Sequence, residues 1–415
     1  MARAIEWRRK PSSLGFCRPH FLGWLDQRRQ ERRDLELVQG MARRWLATCY
    51  VAHLAKDTES CAGIPGTSAP SLTSIVLGVD ADRLTVEMLP GQTVKDFREQ
   101  ATRLAEGMRV PQVRLTQRPN TPGYLVVELL HADPLAHEVM LPLGAGAVSQ
   151  QVLFAQSETG DEIAIPLLDC AHIIAQGQTR SGKSRWTYGL LAQLAGCSDI
   201  TFAGSDITGL IARAFDGTRH APFWASGSAD IEAHCRVLED LVAEMDRRNA
   251  SMPRTSDVYP ISETDPLLFV VIEELAGLIE AAQAADAGRK RGDAKYADRI
   301  RGAYKRLMGE GAKAGIRVLL LVQRAEATIV GGFARGQASL RLSFRVDDAE
   351  SVKLLHPGVE RAVAEEHATA TPAIALVSGP GLPLTRARAP HMPSYEHFLN
   401  LVEQQCERST LTLAA

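Results

Sequence analysis

Gly177, Gln178, Thr179, Arg180, Ser181, Gly182, Lys183 and Ser184 have the types and spacing to cradle a polyphosphate, in the form G-x-x-x-x-G-K-[ST]. The glycines let the backbone close around an anion, and the N–H groups of the turn converge on it. In this arrangement Lys183 would meet the β/γ-phosphates of a bound nucleotide, and the Ser184 hydroxyl would ligate Mg²⁺. Arg185 follows directly and is grouped with the loop. Such a loop works only between a strand and a helix N-terminus. Ile173 and Ile174 supply the strand, and Ser184 to Leu194, with Trp186, Leu190, Leu191 and Leu194 near helical spacing, supplies the helix.

Two carboxylates form the second chemical group. The apolar run Leu267-Leu-Phe-Val-Val-Ile272 leads straight into Glu273-Glu274. An unbroken apolar hexad reads as a central parallel strand buried on both faces. Ligands of open α/β sheets bind at the carboxyl ends of the strands, so the pair can face the phosphate loop. Glu273 fits the post that holds the metal, and Glu274 the post that polarises an attacking water. A second run, Arg317 to Val322, ends in Gln323-Arg324, and Gln323 is placed to sense the γ-phosphate. Arg324, Arg341 and Arg345 are candidates for a charge-stabilising arginine, in cis or from a neighbouring subunit. A surface ion pair is the alternative for each. Asp206, ending the strand Ile200 to Ala203 and its turn, is a candidate second-sphere group. Leu340 to Val346 alternates apolar and polar, which predicts one covered face with Arg341 and Arg345 together on the other.

The elements around these groups alternate strand and helix over residues 150–400, the pattern of a parallel sheet covered on both faces. Ile231 to Arg248 is a long amphipathic helix, and Ala373 to Val377 a last strand. A basic loop and helix, Ala287 to Gly292 with Lys295, Arg299, Arg301, Lys305 and Arg306, could track a phosphate backbone. A solvated loop is the alternative. Residues 75–149 read as a small α/β adaptor domain, with a capping box at Thr93-x-x-Asp96 and a helical face of Phe97, Ala101, Leu104, Ala105 and Met108. Residues 56–74, rich in Ser, Thr, Gly and Pro, read as a linker. Residues 1–48 carry 11 Arg or Lys against 5 acids, a net of +6, with aromatics interleaved. This is a basic arm for DNA or an anionic membrane surface, or a solvated amphipathic helix. Residues 401–415 read as a C-terminal tail.

Composition bounds the rest. The 415 residues are 45% hydrophobic and 23% charged, with net charge −2, so nucleic-acid contact must come from local patches. The seven cysteines are scattered, with no C-x-x-C, which points to neither a disulfide framework nor a zinc site. No run is long enough to span a membrane, and the Arg-rich N-terminus lacks the apolar region of a secretory signal. A cytoplasmic protein is expected, with a peripheral place at the membrane left open.

The order of these motifs resembles the FtsK/SpoIIIE family of DNA-translocating ATPases, and especially its conjugative-transfer members (Tra-type) of actinobacterial mobile elements. The resemblance covers residues of about 150–380. It rests on Asp161 to Asp169, His172 to Ser184, Leu241 to Arg248, Phe269 to Ala276, Ala314 to Arg324 and Leu340 to Val346. Residues 84–134 look like the domain that precedes the motor in the Tra-type group. The resemblance implies a RecA-like P-loop motor assembled as a hexameric ring and pumping double-stranded DNA with ATP. The family roles fall on Lys183, Ser184, Glu273 and Glu274. It also leaves room for a membrane-anchored partner protein.

Three departures stand out. The family's acidic strand usually ends Asp-Glu, whereas this one ends Glu273-Glu274 and displaces the metal-binding carboxylate, which leaves room for weaker hydrolysis. Gly311-Ala-Lys-Ala-Gly-Ile316 lacks the arginine many relatives place before Ala-Gly-Ile. The stretch after residue 390 is too short for the C-terminal winged helix of sequence-reading members. Two other functions stay open: a related ring ATPase moving protein cargo, and a slow nucleotide-binding assembly factor.

Overall fold

Alternating apolar and polar residues build the first part of the chain, and unbroken apolar runs build the second. The computed structural model describes residues 5–8, 21–59, 65–78, 81–117, 121–144, 146–290, 292–325 and 330–413. The chain divides into two units, Met1–Ala136 and His137–Ala415.

The first unit holds β1 (Ile5–Arg8), α1 (Phe21–Val51), β2 (Lys56–Glu59), β3 (Pro65–Ser68), β4 (Ser71–Leu77), β5 (Ala81–Glu87), α2 (Val94–Glu99), α3 (Ala101–Met108), β6 (Gln112–Gln117) and β7 (Tyr124–Leu130). Five strands form an antiparallel sheet in the order β1-β4-β5-β7-β6. Every second residue of β7 (Leu125, Val127, Leu129) and Leu84 and Val86 of β5 turn inward, against Phe97, Leu104 and Met108 of α2 and α3 and Trp45 of α1. The Trp45 indole N–H donates to the Pro70 carbonyl at 2.8 Å. Thr93 N donates to Asp96 Oδ2 at 2.6 Å, which caps α2. The stretch 56–74 is not a linker: β2 and β3 pair with each other and β4 begins at Ser71. Thr67 of β3 and Ser71 of β4 are exposed, and small polar residues of this kind do not separate a strand from a coil by composition. Arg3, Arg9, Lys10 and Arg18 of the expected basic arm lie outside the described residues.

The second unit runs β8 (Gln151–Ser157), β9 (Glu162–Pro166), β10 (Ile173–Gln176), α4 (Lys183–Leu194), β11 (Ile200–Asp206), β12 (Trp224–Ser226), α5 (Ile231–Ala250), β13 (Leu267–Glu273), α6 (Leu275–Asp286), α7 (Tyr296–Glu310), β14 (Ile316–Val322), α8 (Gly332–Gln337), β15 (Leu340–Phe344), α9 (Ala349–Leu355), α10 (Arg361–His367), β16 (Ile374–Gly379), β17 (Leu382–Arg388) and α11 (Tyr395–Leu413). Ten strands form one mixed sheet in the order β12-β11-β13-β14-β10-β15-β16-β17-β8-β9. The six strands from β12 to β15 are parallel. The remaining neighbours pair antiparallel.

Both faces of the parallel half are covered. Phe202, Phe269, Val271, Leu319 and Leu321 pack on one side with α4 and α11. Ala203, Val270, Ile272, Val318 and Leu320 pack on the other with α5, α6 and α7. This explains why β13 and β14 read as continuous apolar runs. The alternation in Leu340 to Val346 misleads. β15 ends at Phe344 and is covered on both faces, and its Ser343 is fully buried. Residues 137–149 join this unit through the Val139–Pro390 bridge and the Val148 N–H bond to Asp199. The stretch 401–415 continues α11 as far as Leu413, with Leu401 and Val402 buried.

Candidate functional site

The phosphate loop leaves the carboxyl end of β10, between β14 and β15, and enters α4. Gly177 N donates to Val322 O at 3.2 Å and Gln178 N to Arg345 O at 2.9 Å, so both neighbouring strands hold the entry. Arg180 (φ 64°) and Gly182 (φ 106°) are left-handed, which folds the loop back over the helix start. A side chain at Gly177 would place Cβ 2.6 Å from Ser181 Oγ and 2.7 Å from Phe344 Cβ. Only glycine fits there. Ser181 is buried and its Oγ has no hydrogen-bond partner. Thr179, Arg180, Ser184 and Arg185 are exposed at the mouth of the loop. Arg185 donates Nη1 to the Met392 carbonyl at 2.7 Å, ahead of α11.

Lys183 points into the sheet end. Its Nζ donates to Val322 O at 2.8 Å and lies 3.9 Å from Glu274 Oε2. Burial lowers its pKa, opposed by the charges of Glu274 and Glu273. Glu273 ends β13 directly beside Asp206 of β11. Its Oε2 is shut off from solvent and has no partner. Burial first, then the Asp206 charge, raise the Glu273 pKa to about 7, with Lys183 pulling the other way. Glu274 takes up a left-handed backbone (φ 50°) at the head of α6, held by its N–H bond to Leu321 O at 3.0 Å. A non-glycine residue in that region costs on the order of 1 kcal/mol or more and tends to mark a working site.

Asp206 is fully buried and accepts from the backbone N–H groups of Thr208, Gly209, Ile211 and Ala212. Its carboxylate therefore shapes the chain that follows β11. Gln323 is exposed and lines a cavity of about 390 Å³ with Gln178, Glu274, Glu280, Arg324 and Asp347. Arg324 Nη2 donates to Asp347 Oδ2 at 2.5 Å and lies 3.4 Å from Asp348. The Gln178 amide, oriented to satisfy both neighbours, donates to Asp347 and accepts from Arg345 Nε at 2.8 Å. Arg345 also donates to Ala370 O. Arg341 turns away, donating to the carbonyls of Ala338, Arg335 and Leu355. Arg341 and Arg345 thus do not share an open face. The sequence reading missed Asp347, which joins Gln178 to Arg324. Its only signal was an acidic pair, Asp347-Asp348, directly after a strand.

The basic helix is largely committed. Arg299 pairs with Glu232 and Glu239 of α5, and Arg306 with Asp246 and Glu310. Arg289 stacks on Tyr296 at 4.1 Å. Lys290, Lys295 and Lys305 stay exposed.

The site's own features fit a phosphate and a hard cation. A glycine cradle, a buried unpartnered hydroxyl and a buried unpartnered carboxylate oxygen meet at one sheet end. Among the described residues no group of three or more His, Cys, Asp or Glu could hold a metal unaided. Protein sites usually hold Mg²⁺ through one or two carboxylates plus substrate phosphates, and Glu273 offers one buried carboxylate oxygen without a partner.

No family model matches the chain. An uncharacterized FtsK-like protein of Nostoc sp. (strain PCC 7120) is 27% identical over 199 residues, or 45% of this chain and 26% of that protein. The match spans about a quarter of that relative's length. The conjugation coupling protein TcpA of pCW3, solved as a monomer with ATPγS, aligns over 88% of this chain and 99% of its own, with TM-score 0.53 and 17% identity. ATPases 2 and 3 of EssC from Geobacillus thermodenitrificans align over 68% of this chain and 52% of theirs, with TM-score 0.52 and 14% identity. At these identities the likeness is one of fold alone. No described helix is long and apolar enough to cross a membrane.

Proposed function

We propose that this chain is an ATPase that translocates double-stranded DNA as a homo-oligomeric ring, a hexamer, in the transfer of a plasmid or mobile element. One observation carries the ATPase reading: Lys183, Glu273 and Glu274 converge beside a glycine cradle, with Lys183 Nζ 3.9 Å from Glu274 Oε2. Lys183 and the loop N–H groups bind and orient the β/γ-phosphates. Ser184 and Glu273 would hold Mg²⁺, which offsets phosphate charge when bound. Glu274, fixed by its left-handed backbone, orients and deprotonates the attacking water. Gln323 reaches the γ-phosphate from the next strand end.

The DNA reading is supported by the FtsK-like sequence and by the fold shared with a conjugation coupling protein. Arg299 and Arg306 are not the DNA contacts, because carboxylates hold them. Lys290, Lys295 and Lys305 take that role. Placement within the cytoplasm, and recruitment to a membrane by a partner protein, belong to the same proposal.

The test is ATP hydrolysis with and without duplex DNA, joined to displacement of a protein roadblock from the duplex. DNA-stimulated turnover and roadblock displacement are expected, both lost in Lys183→Ala. Turnover indifferent to DNA would overturn the DNA reading and favour protein cargo. Binding of ATP without hydrolysis would favour an assembly factor.

A further inference from the structure

The last residue of β10, immediately before the phosphate loop, is a glutamine. Gln176 is fully buried in the centre of the sheet, between β14 and β15. A polar side chain there needs partners, and Gln176 has three. Its Nε2 donates to Ser343 Oγ at 2.7 Å and to Ser351 O at 2.8 Å. Its Oε1 accepts from Ala325 N at 3.0 Å. The three partners belong to different segments. Ser343 lies at the carboxyl end of β15. Ser351 sits in the first turn of α9. Ala325 directly follows Gln323-Arg324.

The geometry points to Gln176 as a positioning residue that sets Gln323 and Arg324 against the phosphate loop and links both to the α9–α10 segment. This rests on the ATPase reading of the site. Several features support it. Gly177 and Gln178 are tied by their backbones to the same two flanking strands that Gln176 ties by its side chain. The chain after β14 is thus fixed to β10 twice, through Val322 O to Gly177 and through Ala325 N to Gln176. On the other side, α9 is capped by Asp348, whose neighbour Asp347 binds both Gln178 and Arg324. Val352 and Ala364 of α9 and α10 form a small core of their own with Val346, Val359 and Leu376. A shift of the loop's first residues therefore moves the Gln323–Arg324 turn and α9 together. A hydrophobic residue in place of Gln176 would fill the same space but release all three segments.

The experiment compares wild type with Gln176→Met, close in volume, and Ser343→Ala, which removes one of the three bonds. If Gln176 positions the γ-phosphate groups, Gln176→Met lowers kcat by about tenfold or more and changes KM by less than about threefold. Ser343→Ala has a smaller effect in the same direction. Combining Gln176→Met with Arg324→Ala gives less than the product of the two separate losses, because both act through one turn. Amide exchange supplies a readout that needs no turnover. ATPγS should slow exchange of residues 323–325 and 349–355 in wild type and not in Gln176→Met. Unchanged kcat, a rise in KM alone, or equal ATPγS protection in both proteins overturns the inference. Absent hydrolysis in wild type contradicts the ATPase reading instead, and the exchange comparison then decides the role of Gln176.

Discussion

The two ends of the parallel strands treat buried charge in opposite ways. At the amino ends, Arg317 and Arg248 are almost wholly buried and their donors are taken up. Arg317 donates to the carbonyls of Leu167, Leu168, Ala312 and Ile316. Arg248 donates to Glu244 and to the carbonyls of Ala314 and Pro266. At the carboxyl ends, Glu273 Oε2 and Ser181 Oγ are buried with no partner, and Arg180 and Glu274 have left-handed backbones. An orphaned buried polar atom costs roughly 1–3 kcal/mol. The amino end uses charge to hold loops in place. The carboxyl end carries a cost in stability that a bound phosphate and cation would relieve.

The sharpest way to break this contrast is to change the two ends separately. Lys183→Ala should reduce ATP affinity and turnover by about a hundredfold or more while leaving the thermal midpoint nearly unchanged, as read by nucleotide titration and calorimetry. A large loss of stability would place Lys183 with the structural cations. Arg317→Met should do the reverse. It removes the guanidinium donors to four carbonyls, and we expect destabilisation of about 2–4 kcal/mol in denaturant titration, with ATP affinity kept in the folded fraction.

Acid should act on the buried histidines. Burial lowers the His172 pKa to about 4 and those of His220 and His356 to about 3, with nearby arginines adding to the shift. The folded pKa lies below the unfolded value of about 6.5, so the unfolded chain binds more protons and stability falls as pH drops below that value. For His172 the loss approaches about 3 kcal/mol at pH 4. His172→Asn, which keeps an acceptor for Val318 N, should flatten the decline between pH 6.5 and 4 in pH-dependent denaturation. An unchanged slope would mean that His172 does not contribute. The smallest effect is expected at Arg299→Ala, about 1 kcal/mol, since its pairs with Glu232 and Glu239 are partly solvated. DNA stimulation should survive that change. Its loss would return Arg299 to the DNA-contacting set.

What the sequence reveals follows from how local each determinant is. The phosphate loop is legible because its cradle, strand and helix are contiguous, from Ile173 to Leu194. Glu273-Glu274 is legible because burial on both sheet faces writes an unbroken apolar run ahead of it. Arg341 and Arg345 mislead because alternation implies an open face, and Ser343 between them is polar yet buried against Gln176. Gln176 itself is silent in the sequence, since its partners lie 149 to 175 residues away. Asp347 is hidden for the same reason. Arg299 and Arg306 reach to α5, 60 residues back at Glu239 and Asp246, a helix–helix contact that the basic run in the sequence does not announce.

The measurement that bears most directly on the carboxyl-end site is ATP binding and hydrolysis by Glu274→Gln beside wild type. The account predicts nucleotide affinity within about threefold of wild type and hydrolysis lower by about a hundredfold or more. Hydrolysis at the wild-type rate would contradict it, because Glu274 would then not be activating the water.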